Sequence, residues 1–183
     1  MKLNLGCGKD IKPDYVNLDI VDYGGNKIHD INTFPYPFED STFEEIYASH
    51  VLEHLDNFNK TITELYRIAK PNCVITVYAP FFLNTKYFGE PDHKIPFSIR
   101  TFDNYEHIGS RKLKFYEKWK LEHRTNYESA AKFEILEKKF ITSHFSVLKW
   151  MDFIVNIEPV IYERFFAGIF SPEEVYFKLR VVK

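Results

Sequence analysis

The sequence predicts an α/β protein in which a mostly parallel sheet carries helices on both faces. Short apolar runs alternate with turns through the first eighty residues, a pattern typical of strands joined by crossovers. The clearest helical pattern lies between two of these runs, and a helix between two buried strands forms a right-handed crossover. The 183 residues suit a single domain with one core.

Four apolar runs supply the strands predicted in the first half of the chain. The first ends in a glycine turn, the second ends at Asp19, the third precedes His50 and the fourth is closed by Pro80. These runs are residues 3–5, 16–20, 43–49 and 74–79.

A helix is predicted between the third and fourth runs, because apolar side chains recur there at helical spacing. Asp56 is the expected N-cap, and Pro71 ends the pattern. The apolar positions are Phe58, Ile62, Leu65, Tyr66 and Ala69.

The second half of the chain carries weaker patterns. Residues 81–127 mix aromatic and basic side chains, and we predict an inserted lid or a strand pair there, with strand-like alternation in 113–121. Residues 133–140 predict a strand, 160–170 a helix and 176–182 a final strand.

Composition excludes several classes of protein. The formal charge of -2, and the glutamates that interrupt the basic middle segment, argue against a nucleic-acid partner. No apolar run approaches the roughly 20 residues needed to span a bilayer. The first strand begins at once, which leaves no room for a signal peptide, and the two cysteines form no disulfide framework. A reduced, cytoplasmic protein that does not contact membranes is expected.

The turn after the first run consists of Gly6, Cys7 and Gly8. Glycines directly after a strand let the backbone approach a ligand closely, at the edge of the sheet where ligands bind. A dinucleotide pyrophosphate would need a further glycine and a crossover helix. Here only residues 9–15 precede the second strand, which is too short for such a helix. The turn therefore disfavours NAD, and a plain tight turn is the alternative to a ligand site.

Two carboxylates follow the next strand-like segments. Asp19 can accept hydrogen bonds from the two hydroxyls of a ribose, and Asp30 can accept one from an adenine amino group. Taken alone, Asp19 is as readily explained as a helix N-cap or a solvated turn residue, and Asp30 is more readily explained as the start of a turn.

Together these features resemble one family, the class I S-adenosylmethionine-dependent methyltransferases. The glycine turn, Asp19, Asp30 and the stretches FPYPFEDSTFEEIYASHVLEHL (34–55) and LYRIAKP (65–71) carry the resemblance, which covers residues 1–82. It is closest to a small subgroup, similar to methyltransferase type 11, whose first crossover is shortened to a loop. The resemblance implies a Rossmann-like open twisted sheet with an antiparallel last strand. Asn72-Cys73 departs from the glycine pair usual before the fifth strand.

The resemblance also implies how S-adenosylmethionine is bound. Gly6, Cys7 and Gly8 would present backbone to its methionine end, and Asp19 would hold the ribose. Beside them, Ile20 would pack on the adenine, Asp30 and Ile31 would meet the adenine edge, and Ser49 and His50 would border the reactive methyl group.

Three histidines are weighed as catalytic or metal-binding groups. In the family, a histidine in a loop like that of His93 can face the substrate, and its near-neutral pKa suits a general base, with a plain loop residue as the alternative. His50 is a second catalytic candidate. His50 and His54 lie four apart on an apparent helix but lack the metalloprotease pattern, so structural hydrogen bonding is favoured and no metal is predicted.

The expected activity is methyl transfer to a small molecule or a sugar-type hydroxyl. An NAD-type Rossmann oxidoreductase is the rival within enzymes. A non-catalytic module that keeps the fold and the cofactor is the rival from another class, because fold does not imply function. The acceptor and the oligomeric state are left open by the sequence.

Overall fold

A computed structural model describes residues 1–107, 130–142 and 150–183 of the chain. Seven strands form one sheet in the order β3-β2-β1-β4-β5-β7-β6. The strands are β1 (Lys2–Leu5), β2 (Val16–Asp19), β3 (Lys27–Ile28), β4 (Phe43–Ser49), β5 (Ala69–Pro80), β6 (Phe133–Ile141) and β7 (Glu174–Val181). The helices are α1 (Phe58–Ile68), α2 (Thr85–Phe88), α3 (Trp150–Val155) and α4 (Pro159–Phe165), with 3₁₀ turns at Leu52–His54 and Asp103–Tyr105.

The pairing of the strands confirms the predicted sheet. Strands β3, β2, β1, β4 and β5 are parallel to their neighbours, whereas β7 is antiparallel to both β5 and β6. From β1 the chain runs outward through β2 and β3 and then returns to place β4 on the other side of β1. The switch point of the sheet therefore lies at the end of β1, and ligands of open α/β sheets bind at such a point. None of the described helices is long and apolar enough to cross a membrane.

Helix α1 begins one residue later than predicted. The Asn57 side chain, rather than that of Asp56, accepts a hydrogen bond from the Lys60 N–H at 3.0 Å and caps the helix. The Asp56 carboxylate instead forms an ion pair with the Lys94 ammonium at 2.6 Å. The helix ends at Ala69, which turns to extended backbone and enters β5. Asn72 has a φ of +64°, a conformation that asparagine tolerates in place of the glycine usual there.

Helices α1 and α4 pack on the same face of the sheet. The Phe177 ring of β7 lies 4.9 Å from Phe102, whose ring contacts Phe58 of α1. Phe140 pairs with Val175, two residues before Phe177 in β7, and the Phe140 ring lies 6.0 Å from the ring of Tyr162 in α4. Since alternate residues of a strand share a face, both contacts belong to one core layer.

A loop covers the opposite face beside the first strand. Residues 6–15 contain no helix, as the shortened crossover predicts, and Lys12 lies over the Tyr47 ring at 4.4 Å. The buried side chains of Asn4 and Asn17 hold this loop: Asn4 donates to Asp10 O at 2.7 Å, and Asn17 bonds both backbone groups of Lys12 at 2.9 Å. Two buried asparagines thus satisfy backbone groups of the loop that covers this face.

The predicted insertion is only partly described, since residues 108–129, including the expected strand pair at 113–121, lie outside the described ranges. Its first part, residues 81–107, contributes side chains to the core. Phe81, Phe97, Ile99 and Phe102 are almost completely buried. Of the later predictions, the strands at 133–140 and 176–182 are present as β6 and β7, while the helix predicted at 160–170 spans only Pro159–Phe165.

An ion-pair network fastens the loop before β4 to α1. Arg67 donates to Glu64 at 2.6 Å, to Asp40 at 2.6 Å and to the Phe38 carbonyl at 2.9 Å, while Glu64 also accepts from the Tyr36 N–H at 2.6 Å. Burial alone would raise the pKa of Glu64, but the hydrogen bonds from Arg67 and Tyr36 lower it below its ordinary value of 4.5.

Replacing Arg67 by alanine should destabilise the protein by about 3 kcal/mol, because it leaves the buried Glu64 carboxylate unpaired. Urea unfolding at pH 7 measures the loss. Arg164→Ala, at an exposed position of α4, should change stability by less than about 0.5 kcal/mol. The difference between wild type and Arg67→Ala should narrow as the pH falls below 4.5 and Glu64 becomes protonated, since a carboxylate with a lowered pKa loses its stabilising effect there. Equal stabilities at pH 7 would contradict this account.

Candidate active site

The carboxyl ends of four neighbouring strands bring the predicted cofactor residues to one edge of the sheet. Gly6, Asp19 and Ser49 end or follow β1, β2 and β4, and the segment of Asp30 follows β3. Because these strands are adjacent and parallel, their ends form a continuous row. The His29 N–H donates to Asp19 O at 2.8 Å and fixes the β3 end against the β2 end.

The glycine turn is joined directly to Asp19. Gly8 N donates to Asp19 Oδ2 at 2.8 Å, and Val21 N donates to Asp19 Oδ1 at 3.0 Å. Each carboxylate oxygen has two acceptor positions, so one on each remains available to a ligand hydroxyl. The predicted convergence of the turn and Asp19 is therefore present.

The two glycines of the turn meet different surroundings. Gly6 (φ +61°) and Gly8 (φ +50°) both have left-handed backbone. A Cβ at Gly6 would lie 2.2 Å from Val51 Cγ2, whereas one at Gly8 would meet nothing within 4 Å. Gly6 is thus needed for packing, whereas the space above Gly8 is empty. Ile20, which follows Asp19, is 62% exposed. An open backbone turn, a bound carboxylate and an exposed apolar side chain fit a nucleoside cofactor.

Replacing Gly6 by alanine should cost about 3 kcal/mol of stability, because left-handed backbone and overpacking against Val51 add together. Gly8→Ala carries only the backbone cost and should lose about 1 kcal/mol. Urea unfolding of both variants tests the difference. A smaller loss for Gly6→Ala than for Gly8→Ala would show that the turn is packed differently.

The segment after β3 is held by its own hydrogen bonds. Asp30 Oδ1 accepts from the Asn32 N–H at 2.9 Å, and the Ile31 carbonyl accepts from the Tyr36 hydroxyl at 2.9 Å. The Asn32 side chain in turn accepts from the Asp56 N–H at 2.8 Å. The structure thus positions Asp30 and Ile31 next to the β2 end but shows no direct contact between Asp30 and Asp19.

Cys7 contributes to the glycine turn through its backbone rather than through its side chain. Its N–H donates to the Leu18 carbonyl at 3.1 Å, and its side chain is buried. Burial, together with the nearby Asp19 carboxylate, raises the pKa of the thiol. A protonated, buried thiol is not a nucleophile.

His50 lies at the end of β4 with strained backbone. Its φ is +51°, which is unusual for a residue other than glycine, and its N–H donates to Tyr78 O at 3.0 Å. Its Nε2 lies 3.3 Å from Glu174 Oε1 and its Nδ1 lies 3.5 Å from Glu53 Oε1. The carboxylates of Glu174 and, less strongly, Glu53 favour the protonated imidazole and raise the pKa of His50 to about 9. The apparent helix from His50 is wrong, since only a 3₁₀ turn at Leu52–His54 follows the strand.

A cavity of about 520 Å³ opens beside His50. His93 enters it from the loop after α2, and its Nδ1 contacts the Tyr87 carbonyl at 2.9 Å. The His54 and His93 rings lie 4.8 Å apart. The lining residues are His50, Glu53, His54, Pro80, Lys86, Gly89, Glu90 and His93.

Two acidic residues of this region were not predicted from the sequence. Glu53 lies in an apolar stretch and is completely buried, with its carboxylate near His50. Glu174 reaches the same histidine from β7, more than one hundred residues later in the chain. The charged residue inside the apolar stretch VLEHL was a signal for Glu53, because buried carboxylates are rare. No local signal marks Glu174.

The chain is similar to known proteins in part of its sequence and in its fold. Residues 10–77 match the model of a family described as a methyltransferase domain. No curated protein matches the chain in sequence. Among solved structures, a SAM-dependent methyltransferase from Archaeoglobus fulgidus has a TM-score of 0.55 at 16% identity, over 98% of this chain and 85% of that chain. A SAM-dependent methyltransferase from Mesorhizobium loti has a TM-score of 0.51 at 11% identity, over 98% and 89%.

The same fold also occurs in a different enzyme. The cyclase SpnF has a TM-score of 0.57 at 13% identity, over 99% of this chain and 74% of that chain. At identities this low, these structural likenesses establish the fold, and the chemistry has to be argued from the residues of the site.

Proposed function

We propose that this chain is a class I S-adenosylmethionine-dependent methyltransferase and that it methylates a hydroxyl group of a small polar acceptor such as a sugar. The observation that carries the proposal is the hydrogen bond between Gly8 N and Asp19 Oδ2 at the sheet edge that also holds His50, which lines a cavity with charged and imidazole side chains. The cofactor follows from the family; the acceptor class is inferred from the lining of the cavity.

The residues at the strand ends suit the parts of S-adenosylmethionine in order. The open acceptor positions of Asp19 would take the ribose hydroxyls, and the exposed side chain of Ile20 would cover the adenine. Asp30 and Ile31 would meet the adenine edge. Backbone of the glycine turn would hold the methionine end, with Ser49 and His50 beside the methyl group.

The chain has little covalent chemistry to perform, because the positive sulfur of the bound cofactor already activates its methyl group. The protein needs to align an acceptor oxygen with that methyl group and to remove the hydroxyl proton. No enzyme nucleophile is required, which agrees with the buried thiol of Cys7.

His93 is the histidine best placed to accept a proton. Its Nδ1 faces the Tyr87 carbonyl, which can only accept, so Nδ1 must carry hydrogen and Nε2 keeps its lone pair in the neutral ring. Both nitrogens of His50 instead face carboxylates, so His50 acts as a donor. We therefore assign His93 to the proton transfer and His50 to positioning.

The acceptor class follows from the charges that line the cavity. The lining includes the Glu53 and Glu90 carboxylates, three imidazoles and the Lys86 ammonium, which also pairs with Glu173 at 2.6 Å; the remaining donor and acceptor positions of these groups can pair with hydroxyl groups. An apolar acceptor would leave these groups desolvated without partners, at a cost of about 1–3 kcal/mol each. A polyhydroxylated small molecule meets them best.

The segment that contributes His93 also supports a substrate-binding role for the insertion at 81–127, which we retain as a proposal. A reducing, cytoplasmic location is likewise proposed, and the buried, unpaired thiols of Cys7 and Cys73 are compatible with it.

Methyl transfer can be tested with methyl-labelled S-adenosylmethionine and a panel of monosaccharides and small polyols. We expect label in an acid-stable ether product and S-adenosylhomocysteine in equal amount. Calorimetric titrations should show binding of S-adenosylmethionine and none of NAD. Binding of NAD alone would overturn the proposal, and label transferred only to apolar acceptors would overturn the acceptor class.

A further inference from the structure

We propose that Glu53, His54 and His93 form a binding site for one divalent transition-metal ion, of which zinc is the representative. This inference departs from the prediction that the protein binds no metal. It concerns the same cavity as the proposed function, but the existence of the site does not depend on methyl transfer.

The three side chains converge closely enough to share an ion. One ligand atom from each can be chosen so that all lie within 4.8 Å of one another. Bonds of 2.0–2.2 Å in a tetrahedral zinc site place the ligand atoms about 3.4 Å apart. Rotation of the imidazoles and the carboxylate would have to bring ligand atoms that lie up to 4.8 Å apart to this spacing.

The carboxylate of Glu53 is the strongest sign of a missing partner. The residue is 0% exposed, and neither of its oxygens makes a hydrogen bond within the described part of the chain. His50 Nδ1 forms an ion pair with Oε1 at 3.5 Å but no hydrogen bond, and Oε2 makes no hydrogen bond within the described residues. Burying a carboxylate without hydrogen bonds is costly, and buried charges are usually paired or coordinate metals.

The two histidines are prepared to act as ligands. Nδ1 of His93 is held by the Tyr87 carbonyl, which leaves Nε2 as the coordinating atom; a carbonyl of this kind commonly orients metal-binding histidines. His54 Nδ1 is buried without a hydrogen bond, and Asp92 Oδ2 lies 3.0 Å from it in unsuitable geometry for one. Asp92 thus supplies further negative charge beside the site.

The set of donors selects the class of ion. Two imidazoles and one carboxylate match zinc sites that keep a fourth position for a non-protein ligand. Magnesium and calcium prefer oxygen ligands and are disfavoured. All three residues line the cavity assigned to the acceptor, so the fourth position faces it. If the proposed function holds, an ion there would bind the acceptor hydroxyl and lower its pKa, with His93 as ligand instead of base.

Calorimetry with zinc chloride on the chelator-treated full chain tests the site. We expect one zinc ion per chain, with at least 100-fold weaker binding in Glu53→Gln and in His93→Ala. His107→Ala, at an exposed histidine outside the cavity, should bind zinc like wild type. Cobalt should give visible absorption bands typical of four-coordinate cobalt, which Glu53→Gln should lack. No stoichiometric binding, or equal binding by Glu53→Gln, would overturn the site.

Thermal unfolding shows whether a variant has simply lost its fold. Without metal, Glu53→Gln should melt close to the temperature of wild type, because loss of the 3.5 Å ion pair with His50 is offset by removal of a buried carboxylate that makes no hydrogen bond. Zinc should raise the melting temperature of wild type and of His107→Ala, and leave that of Glu53→Gln unchanged. Zinc binding without methyl transfer to any acceptor would refute the proposed function and leave the metal site intact.

Discussion

Replacing Asp19 by alanine should weaken the binding of S-adenosylmethionine at least 100-fold. The carboxylate would lose two hydrogen bonds to the ribose, each worth about 1.5–3 kcal/mol when one partner is charged. The substitution also frees Gly8 N and Val21 N, which Asp19 holds at 2.8 and 3.0 Å, so the glycine turn loses its anchor. Calorimetric titration of the folded variant with S-adenosylmethionine measures the loss.

Asp22 provides a matched control for this experiment. It is an exposed aspartate three residues away, and its carboxylate caps a local turn by accepting from the Gly24 N–H at 2.8 Å. Asp22→Ala should bind the cofactor within about threefold of wild type, since only a weak exposed hydrogen bond is lost. Equal affinities of the Asp19→Ala and Asp22→Ala variants would refute the assignment of Asp19 to the ribose.

Replacing His93 by alanine should reduce the rate of methyl transfer by about 10²–10⁴-fold, the usual range for loss of a proton-transfer group. The expectation holds whether Nε2 takes the proton itself or holds a metal ion beside the acceptor. The affinity for S-adenosylmethionine should stay within about twofold of wild type, because His93 lies in the cavity rather than at the strand ends proposed to hold the cofactor. Single-turnover transfer of labelled methyl measures the rate.

Two further variants separate the chemistry of His93 from its packing. His93→Gln keeps a side-chain N–H for the Tyr87 carbonyl but has no imidazole lone pair, so it should be as slow as His93→Ala. His107→Ala should transfer methyl groups at the wild-type rate. A fast His93→Gln variant would mean that the ring only supports the loop.

Local patterns were sufficient to predict the strands and the cofactor edge. Apolar runs of strand length, a glycine turn and a helix between two strands are features of neighbouring residues, and parallel strands necessarily end at the same edge of a sheet. Asp19 could therefore be placed beside Gly8 before any distance was known. The helix cap was misplaced by one residue, since Asp56 and Asn57 are both good caps and only packing selects between them.

The chemistry beside that edge depends on residues that are distant in the chain. The cavity joins Glu53 and His54 to His93, and His50 meets Glu174 from the antiparallel strand β7. Likewise, α1 and α4 together cover the face of the sheet that carries Phe177. Beside β1, the opposite face is covered by a loop whose backbone bonds to buried asparagines. Local periodicity reports which side of an element is apolar, but not which distant element will cover it. For this protein, the strands and the placement of Asp19 beside the glycine turn could be read from neighbouring residues, whereas the grouping of Glu53, His54 and His93 arises only when the folded chain brings two distant segments into contact.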